Sequence, residues 1–433
     1  MGKFLEVQEF DRICCNPDYK GDNSYGYKYM PEGDFRALEH FIHVFSGDEE
    51  HADALEFMRI GYRRGVGSVI TMSNYVGLIQ TSNGHQIQVL PKIDFTDANE
   101  AKDIFLKMLR SMKDFPSKVF TNSNLNVSQM TLYEVFINMY LQEVNQMVKR
   151  GLKSAYISEE DNLNVFKGKL HVGPHIRHNL VHKERFYVGF DEYNLNRSEN
   201  RLIKSTLLKL NNISESATNT RQIRQLLAAF ELVEPSDNYE QDFSKVVVDR
   251  STRDYENLMK WSKVFLKNKS FTTFSGETSA RALLFPMEKV FESYVARQLK
   301  IACQHDDWDI SLQDHHFYLF NEPHRQFALR PDIVMKDSFG NTVVLDTKWK
   351  KLSNNSRINY GISQADMYQM YAYSKKYHAG QVILLYPLSA EMMDHPPIYF
   401  QSDDGVSVRV FFVDLKSIND SLAELKSQIS NGI

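Results

Sequence analysis

The sequence predicts an α+β protein of several domains: a β-rich N-terminal domain over residues 1–120, a mainly helical middle region over 121–275, and a C-terminal α/β domain over 276–433. Three patterns predict this order. Apolar and polar residues alternate early in the chain, apolar residues then recur with helical spacing, and helix-like and strand-like segments follow one another toward the end. A chain of 433 residues has room for two or three such domains.

The N-terminal domain is predicted from a hairpin and a helix. In NYVGLIQTSNGHQIQVLPKI, residues 74–93, two alternating runs flank Asn83-Gly84, which we expect to supply the positive φ angles of a tight turn. Ile104, Phe105, Met108, Leu109 and Met112 then share one face of a helix predicted over 98–113. The turn-rich segment 115–126 is the first predicted boundary.

The middle region is predicted to be helical from about residue 128, with a first helix that ends at Gly151. Further amphipathic stretches cover 198–213, 218–232 and 253–268, and the polar segment 268–281 is the second predicted boundary. Beyond it we expect helices and strands in the order αβββαβ, forming a mixed sheet. The helices are predicted at about 284–302 and 364–378, and the last strand at 381–386.

Composition limits the classes of function. The formal net charge of −4 argues against a free-standing, non-specific DNA-coating protein, which would be strongly basic. Three cysteines without a C-x-x-C pattern predict neither a disulfide framework nor a cysteine-rich zinc site. The acidic start and the short apolar runs predict no signal peptide and no membrane span, so we expect a cytoplasmic protein.

The chemistry is concentrated in RPDIVMKDSFGNTVVLDTKWKK, where two apolar runs flank a loop expected at Asp337 to Asn341. If this loop joins two antiparallel strands, Lys336 pairs with Thr342, and the residue numbers in every pair sum to 678. Asp332 then pairs with Asp346, at roughly 5 Å between their Cβ atoms. The two-residue period of a strand puts Lys348 on the same face as Asp346. A shift of one residue in the register would weaken this geometry.

Two carboxylates at roughly 5 Å repel each other by about 3 kcal/mol at an effective dielectric of about 20. A divalent cation with a preference for oxygen, Mg²⁺ above all, offsets that repulsion. A lysine beside the metal can orient the attacking water and stabilise the charge that develops on a phosphodiester. The segment therefore predicts a hydrolytic site of Asp332, Asp346 and Lys348. The alternative is an edge hairpin with solvated acids, which the flanking apolar runs disfavour.

Two further residues are accessory candidates. Glu292 lies on the helix before the strands and either supplies another acid near the metal or is simply solvated. Gln369 shares a helix face with Tyr373, and either orders the site or packs; Ser363 with Asp366 caps that helix. The basic loop KWKKLSNNSRINYG is a candidate for phosphate contacts, with a solvated loop as the alternative.

Two other clusters invite a metal-site interpretation. His171, His175, His178 and His182 have the spacing of one helical face, and three histidines can bind Zn²⁺. Gly173-Pro174 interrupts that face, so we expect a helix from Pro174 and a basic surface rather than zinc. The segment HDDWDISLQDHH, 305–316, is expected to be a polar turn and a strand outside the site.

At this point the chain resembles a known family. FPMEKVFE, RPDIV, VVLDTKWK and DMYQMYAY, within 281–386, resemble the PD-(D/E)XK nuclease domain of McrC, the cleaving subunit of McrBC-type restriction systems. The hairpin at 74–93, FKGKLHVGPHIRHNL and FDEYNLNRSENRLIKSTLLKL extend the resemblance over about residues 60–390. Asp346 stands where many relatives in the superfamily have Glu. The first 60 and last 40 residues match nothing in the pattern.

The resemblance implies a DNA endonuclease subunit for phage defence that uses Mg²⁺, with Mn²⁺ as a substitute, to cut double-stranded DNA carrying modifications such as 5-methylcytosine. It implies docking of residues 1 to about 275, including the β-rich domain 1–120, on an McrB-like hexameric AAA+ GTPase, whose GTP hydrolysis this chain stimulates. GTP is then bound by the partner, which agrees with the absence of a G-x-x-x-x-G-K-[ST] loop here. The alternatives are a self-sufficient repair or structure-specific nuclease, and a non-cleaving activator or scaffold.

Overall fold

The computed structural model describes residues 4–21, 26–46, 57–81, 83–93, 98–112, 115, 130–247, 249–250, 252–267 and 281–431. The chain divides into two compact units, one of Met1–Phe115 with Ala282–Ile433 and the other of Pro116–Arg281. Both predicted boundary segments, 115–126 and 268–281, lie almost entirely outside the described residues. Among the helices that the structure describes, none has the length and apolar character to cross a bilayer.

The N-terminal part of the first unit contains two α-helices, a short 3-10 helix (Pro17–Tyr19) and seven strands among its described residues. They are β1 (Phe4–Gln8), β2 (Arg12–Cys14), β3 (Tyr27–Tyr29), α1 (Glu32–Ser46), β4 (Met58–Arg63), β5 (Gly67–Met72), β6 (Tyr75–Gln80), β7 (Gln86–Leu90) and α2 (Ala98–Leu109). One sheet has the order β3-β2-β5-β4, and in a second sheet β1 runs parallel to β7 while β6 runs antiparallel to it. The predicted β-rich start is therefore confirmed.

The predicted hairpin forms between β6 and β7, but its turn differs from the expected one. Gln80 pairs with Gln86, which leaves a five-residue connection, and only Gly84 of the predicted pair has a positive φ, 83°. Gly84 N donates to Thr81 O at 2.9 Å, closing the turn. Asn83 instead uses its side chain, which accepts from the Thr81 hydroxyl and donates to Asp34. The prediction that both residues supply positive φ angles was thus wrong for Asn83, because its side-chain bonds stabilise a longer loop.

The second unit combines helices with a small sheet. Its elements are α3 (Leu132–Arg150), β8 (Ala155–Leu163), β9 (Lys169–Leu170), α4 (Val172–Asn179), β10 (Phe186–Asn194), α5 (Ser198–Ile213), α6 (Ala217–Ala229), α7 (Tyr239–Lys245) and α8 (Glu256–Lys267). The helix that ends at Gly151 and the three later amphipathic helices are confirmed. The sheet, in the order β8-β10-β9, was missed because most of its residues are at least partly exposed, which leaves little apolar periodicity to detect.

The C-terminal part of the first unit is built on one large sheet. Its elements are β11 (Arg281–Pro286), α9 (Met287–Ala302), β12 (Asp309–Leu312), β13 (Tyr318–Phe320), β14 (Gln326–Ala328), β15 (Ile333–Lys336), β16 (Thr342–Thr347), α10 (Gln364–Tyr377), β17 (Gln381–Pro387), β18 (Ile398–Gln401), β19 (Ser407–Val413) and α11 (Ile418–Asn431). The strand order is β12-β15-β16-β17-β19-β18, with β16, β17 and β19 parallel and the remaining pairs antiparallel. The expected α+β class with a mixed sheet is confirmed.

The order α9, β12, β15, β16, α10, β17 follows the predicted αβββαβ pattern, with β13 and β14 set apart as a two-stranded ribbon. The predicted register is confirmed: Ile333 pairs with Leu345 and Lys336 with Thr342, around the loop that begins at Asp337. All six residues of β16 are buried, as expected for a central strand. The last two strands and α11 were not predicted.

The first and last parts of the chain share one unit, whereas the sequence-based division treats them as separate domains. The physical reason is that β11, which precedes α9, joins β6 in the N-terminal sheet, in the order β1-β7-β6-β11. The two strands approach so closely at Gly77 that a Cβ there would lie 1.9 Å from Leu283 O. Only glycine fits at that position.

Candidate active site

Asp332 and Asp346 lie beside each other where β15 begins and β16 ends. The register of the two strands, extended by one residue, places the aspartates opposite each other. Asp332 Oδ2 accepts hydrogen bonds from Thr347 N at 2.7 Å and from Thr347 Oγ1 at 2.6 Å. Asp346 is 2% exposed. The structure therefore brings the two predicted carboxylates together and orients one of them through Thr347.

Lys348 lies on the same side and is held by three groups. Its Nζ is 2.8 Å from Asp346 Oδ2 and 3.7 Å from Asp366 Oδ1, and it donates to Gln369 Oε1 at 3.2 Å. Gln369 Nε2 in turn donates to the Tyr373 hydroxyl at 2.7 Å, which confirms their shared helix face. The lysine predicted from the D-x-K spacing is thus fixed next to Asp346 by α10, the helix that follows β16.

The position of α10 depends on its cap. Ser363 is the N-cap, and its hydroxyl accepts from Asp366 N at 3.1 Å, as the sequence predicts. On the inner face of the helix, Met370, Tyr373 and Tyr377 are buried against the sheet. This packing orients the helix so that Asp366 and Gln369 reach Lys348.

Glu292 lies at the edge of the same site. Its Oε1 accepts from Gln313 Nε2 at 2.8 Å, and Gln313 N donates to Asp332 O at 2.9 Å. Gln313 adopts a positive φ of 47° just after β12. The acidic side chain predicted as an accessory is therefore tied to the strand that carries Asp332, through a glutamine that the sequence analysis did not select.

Burial and mutual repulsion shift the ionisation of these carboxyl groups. Burial, followed by the neighbouring Asp332 carboxylate, raises the pKa of Asp346 to about 7 and that of Glu292 to about 7. Burial also raises the pKa of Asp332. Burial alone would lower the pKa of Lys348, but the adjacent carboxylates, Asp346 foremost, outweigh it and raise that pKa. The site concentrates negative charge that one ammonium group does not fully compensate.

The donor set fits a magnesium ion better than a metal held only by protein. In the described part of the chain, no three His, Cys, Asp or Glu side chains form a ready cage. Mg²⁺ needs no such cage, because it is usually bound by one or two carboxylates together with water and substrate phosphates. Asp346 Oδ2 meets Lys348 as an ion pair but accepts no hydrogen bond of regular geometry. This buried oxygen keeps capacity to bind a cation.

Three contacts near the site were missed at the sequence level: Thr347 on Asp332, Gln313 on Glu292, and Glu9 on Trp349. Trp349 Nε1 donates to both carboxyl oxygens of Glu9, at 3.0 and 3.1 Å, although the two residues are 340 positions apart. Burial raises the pKa of Glu9 to about 7. The D-x-K spacing could have pointed to Thr347 as the intervening residue. No local signal could have paired Glu9 with Trp349.

The histidine cluster serves packing and local hydrogen bonds. α4 begins at Val172, two residues before the predicted start, because proline is tolerated in a first helical turn, where its missing N–H has no partner to lose. His175 Nδ1 lies 3.1 Å from Asn179 Nδ2, and the ring of His178 stacks on Tyr187. The expected helix and exposed basic neighbours are present, with a shifted start.

The remaining predicted segments lie as follows. Residues 305–316 form a turn and β12, as predicted, and Asp314 accepts from the Tyr377 hydroxyl at 2.8 Å. The segment was wrongly placed outside the site, because its Gln313 bonds to Glu292 and to the Asp332 backbone. The basic loop after β16 contains a 3-10 helix, Ser356–Gly361, and Lys350 Nζ donates to Gly361 O at 2.5 Å. Its predicted phosphate contacts stay a prediction.

Comparison with known proteins adds an independent observation. Residues 70–387 match the model of a family described as McrBC 5-methylcytosine restriction system component. The chain belongs to this family. The match spans more than half of the sequence and includes the two aspartates and the lysine. The resemblance to McrC is thereby confirmed. A search of curated proteins gave no match.

Solved structures similar to this McrBC component come from Thermococcus gammatolerans. One is a refined half-complex from a tetradecameric assembly of McrB AAA+ hexamers with bound McrC, with a TM-score of 0.67, 18% identity, and coverage of 98% of this chain and 100% of the matched chain. Another is the McrBC complex by cryo-electron microscopy, with a TM-score of 0.47, 20% identity, and coverage of 69% and 88%. At such identities, the first likeness shows a shared fold.

Proposed function

We propose that this McrBC component is the DNA-cleaving subunit of its restriction system, a Mg²⁺-dependent endonuclease with a PD-(D/E)XK site. The observation that carries the proposal is the meeting of Asp332, Asp346 and Lys348 at the ends of two paired strands, with Lys348 Nζ 2.8 Å from Asp346. The two aspartates would hold the metal. When bound, Mg²⁺ supplies a Lewis acid that neutralises charge on the phosphodiester.

The residues around the two aspartates have separate tasks in this proposal. Thr347 fixes the Asp332 carboxylate through two hydrogen bonds, so that its orientation is set before substrate arrives. Lys348 orients the attacking water and stabilises the negative charge that develops on the phosphate. Gln369 and Asp366 hold the lysine at that position. Glu292, with one oxygen bonded to Gln313, can hold a proton at the edge of the site.

The cleavage proposal is tested with plasmid DNA, methylated and unmethylated, in the presence of Mg²⁺, Mn²⁺ or EDTA, and with or without the neighbouring GTPase and GTP. Lys348→Ala should reduce cleavage by at least about a hundredfold, the lower end for a group acting on the transition state. The matched control is Lys336→Ala, at an exposed lysine of the same hairpin. Full cleavage by Lys348→Ala, with the control also active, would refute the assignment.

The partner in this proposal is an McrB-like AAA+ GTPase hexamer, which binds the GTP and delivers modified double-stranded DNA. McrC is bound to McrB hexamers in the T. gammatolerans assembly. The second unit offers an exposed apolar surface suited to docking on and just after α4. It comprises Val172, Ile176, Leu180 and Val181, which are between 57% and 82% exposed.

Docking is best tested on full-length protein, because a chain ending near residue 275 would lose β11 from its sheet and Trp349 from Glu9. Leu180→Asp with Val181→Asp should weaken partner binding by at least tenfold and reduce GTPase stimulation in proportion. Leu232→Asp is the matched control, since Leu232 is 79% exposed in the same unit. Unchanged partner binding by the double variant would contradict docking through this surface.

The same assays separate the alternatives. DNA cleavage without the partner or GTP would indicate a self-sufficient nuclease. GTPase stimulation without cleavage under any metal condition would indicate an activator whose site does no hydrolysis. The proposed function requires both activities in one complex, with cleavage dependent on the partner.

A further inference from the structure

A two-stranded ribbon, β13 with β14, leaves the main sheet between β12 and β15. The segments that flank the ribbon meet at the candidate site, where Gln313 N donates to Asp332 O at 2.9 Å. At its base, the rings of Phe317 and Tyr377 have centroids 4.5 Å apart, and both side chains pack with the core under α10. The ribbon therefore starts from an anchored base next to a candidate metal ligand and extends away from it.

Two aromatic rings are exposed on the ribbon. Phe320 is 56% and Phe327 is 68% exposed, and their ring centroids are 6.0 Å apart in an edge-to-face arrangement. Phe320 pairs with Gln326, so regular alternation would direct Phe327 to the opposite face. Phe327 instead has a φ of 57°, a left-handed conformation that bulky residues rarely adopt. This backbone turn gathers two apolar rings at the surface, where no core requires them.

The charges of the ribbon suit a polyanion. Arg325 lies in the connection between the strands, with its guanidinium carbon 5.8 Å from the centre of the Tyr318 ring, and Arg330 is exposed two residues before Asp332. Between residues 315 and 330 the sequence has one acid, Glu322. The segment is thus locally cationic although the chain as a whole has a net charge of −4.

We propose that the β13–β14 ribbon enters a groove of duplex DNA beside the bond to be cleaved, with Phe320 and Phe327 against the bases and Arg325 at the phosphate backbone. Three residues per strand span roughly 10 Å, similar to the depth of the major groove, which admits a two-stranded ribbon. In the major groove, an exposed phenylalanine can contact the methyl groups of thymine. The inference rests on the proposed function, since a DNA-cleaving site at Asp332 brings a duplex to the ribbon.

The test is binding of full-length protein to a fluorescent 30-base-pair duplex, measured by anisotropy in EDTA so that no cleavage step is involved. Phe320→Ala with Phe327→Ala should weaken the Kd about tenfold, in the range of lost base–aromatic contacts. The matched control is Phe339→Ala, a 90% exposed phenylalanine in the hairpin loop at the opposite end of β15, which should bind as wild type. Arg325→Ala should lower the salt-dependence slope by about one.

Because both rings are exposed, the double variant should keep the wild-type melting temperature. Wild-type affinity of that folded variant would overturn the inference, as would a wild-type Kd weaker than about 10⁻⁴ M, the weak end of non-specific binding. Loss of a wild-type dimer in sedimentation, with DNA affinity unchanged, would also overturn it and make the ribbon an interface between copies. A chain that binds through the ribbon but never cuts with Mg²⁺ would refute only the proposed nuclease function.

Discussion

Asp346→Asn should stabilise the metal-free protein at alkaline pH, although it should abolish cleavage. Asp346 is 2% exposed, and burial together with the Asp332 carboxylate raises its pKa to about 7. Because this pKa is higher in the folded state than in the unfolded state, the folded protein keeps the Asp346 proton at pH values where the unfolded chain has lost it. Its stabilising contribution is complete below about pH 4 and is lost as the pH rises through about 7. Asparagine resembles the protonated form and avoids that loss.

The size of the expected stabilisation follows from the shift in the pKa of Asp346. This pKa rises from 3.8 to about 7, which is roughly three pKa units. At about 1.4 kcal/mol per unit, the upper bound on the stabilisation of the variant is about 4 kcal/mol. The attraction of Lys348 is already contained in that shift. We expect the variant to gain about half of this upper bound, ~2 kcal/mol, because the structure around the charged Asp346 relaxes locally. For a unit of this size that corresponds to an increase in Tm of roughly 4–8 °C.

The assay is thermal and denaturant unfolding in EDTA at pH 5 and pH 8, comparing wild type with Asp346→Asn. The difference in free energy of unfolding should favour the variant at pH 8 and should be clearly smaller at pH 5, where only part of the loss has occurred. Added Mg²⁺ should stabilise wild type and not the variant. Asp337→Asn is the matched control: Asp337 accepts hydrogen bonds from Phe339 N and Asn341 N, so it should give no stabilisation. A variant less stable than wild type at pH 8 would refute the reasoning.

Three other outcomes follow from the site. Thr347→Val, which removes the 2.6 Å bond to Asp332, should weaken Mn²⁺ binding measured by calorimetry about tenfold, while Thr347→Ser should keep it. EDTA should stop cleavage without unfolding the protein, and the double change His175→Ala with His178→Ala should leave metal content unchanged; stoichiometric zinc lost in that variant would contradict this. Asp332→Ala should stimulate the partner's GTPase like wild type while leaving DNA uncut, and a GTPase defect would contradict the separation of tasks.

Local patterns were sufficient to predict the arrangement of the two central strands. The loop residues between Lys336 and Thr342 define the hairpin, and the hairpin defines the register that carries Asp332 to Asp346. The Ser363 cap and the spacing of Gln369 and Tyr373 are likewise local, and both form the expected contacts. Such features depend on a few neighbouring residues, so one sequence is enough to infer them.

Features that depend on contacts between distant segments could not be predicted from local sequence patterns. The parallel pairing of β17 with β19 depends on packing, and β19 has no motif of its own. Gln313, which donates to Glu292, adopts a positive φ after β12 that no residue pattern announces. Most residues of the small sheet around β10 are at least partly exposed, so its strands lack the apolar alternation that identifies strands elsewhere.

The bond between Trp349 and Glu9 shows why the N-terminal and C-terminal parts form one unit. Trp349 is the residue after Lys348 in the sequence. Its ring packs on that of Phe291, the residue before Glu292, with centroids 5.4 Å apart. Its indole N–H needs an acceptor when buried, and Glu9 beyond β1 supplies one, while Lys92 N donates to the same carboxyl group. A C-terminal fragment without the first strand would leave that indole unsatisfied beside the candidate site. The N-terminal strand is therefore part of the structure that positions Lys348.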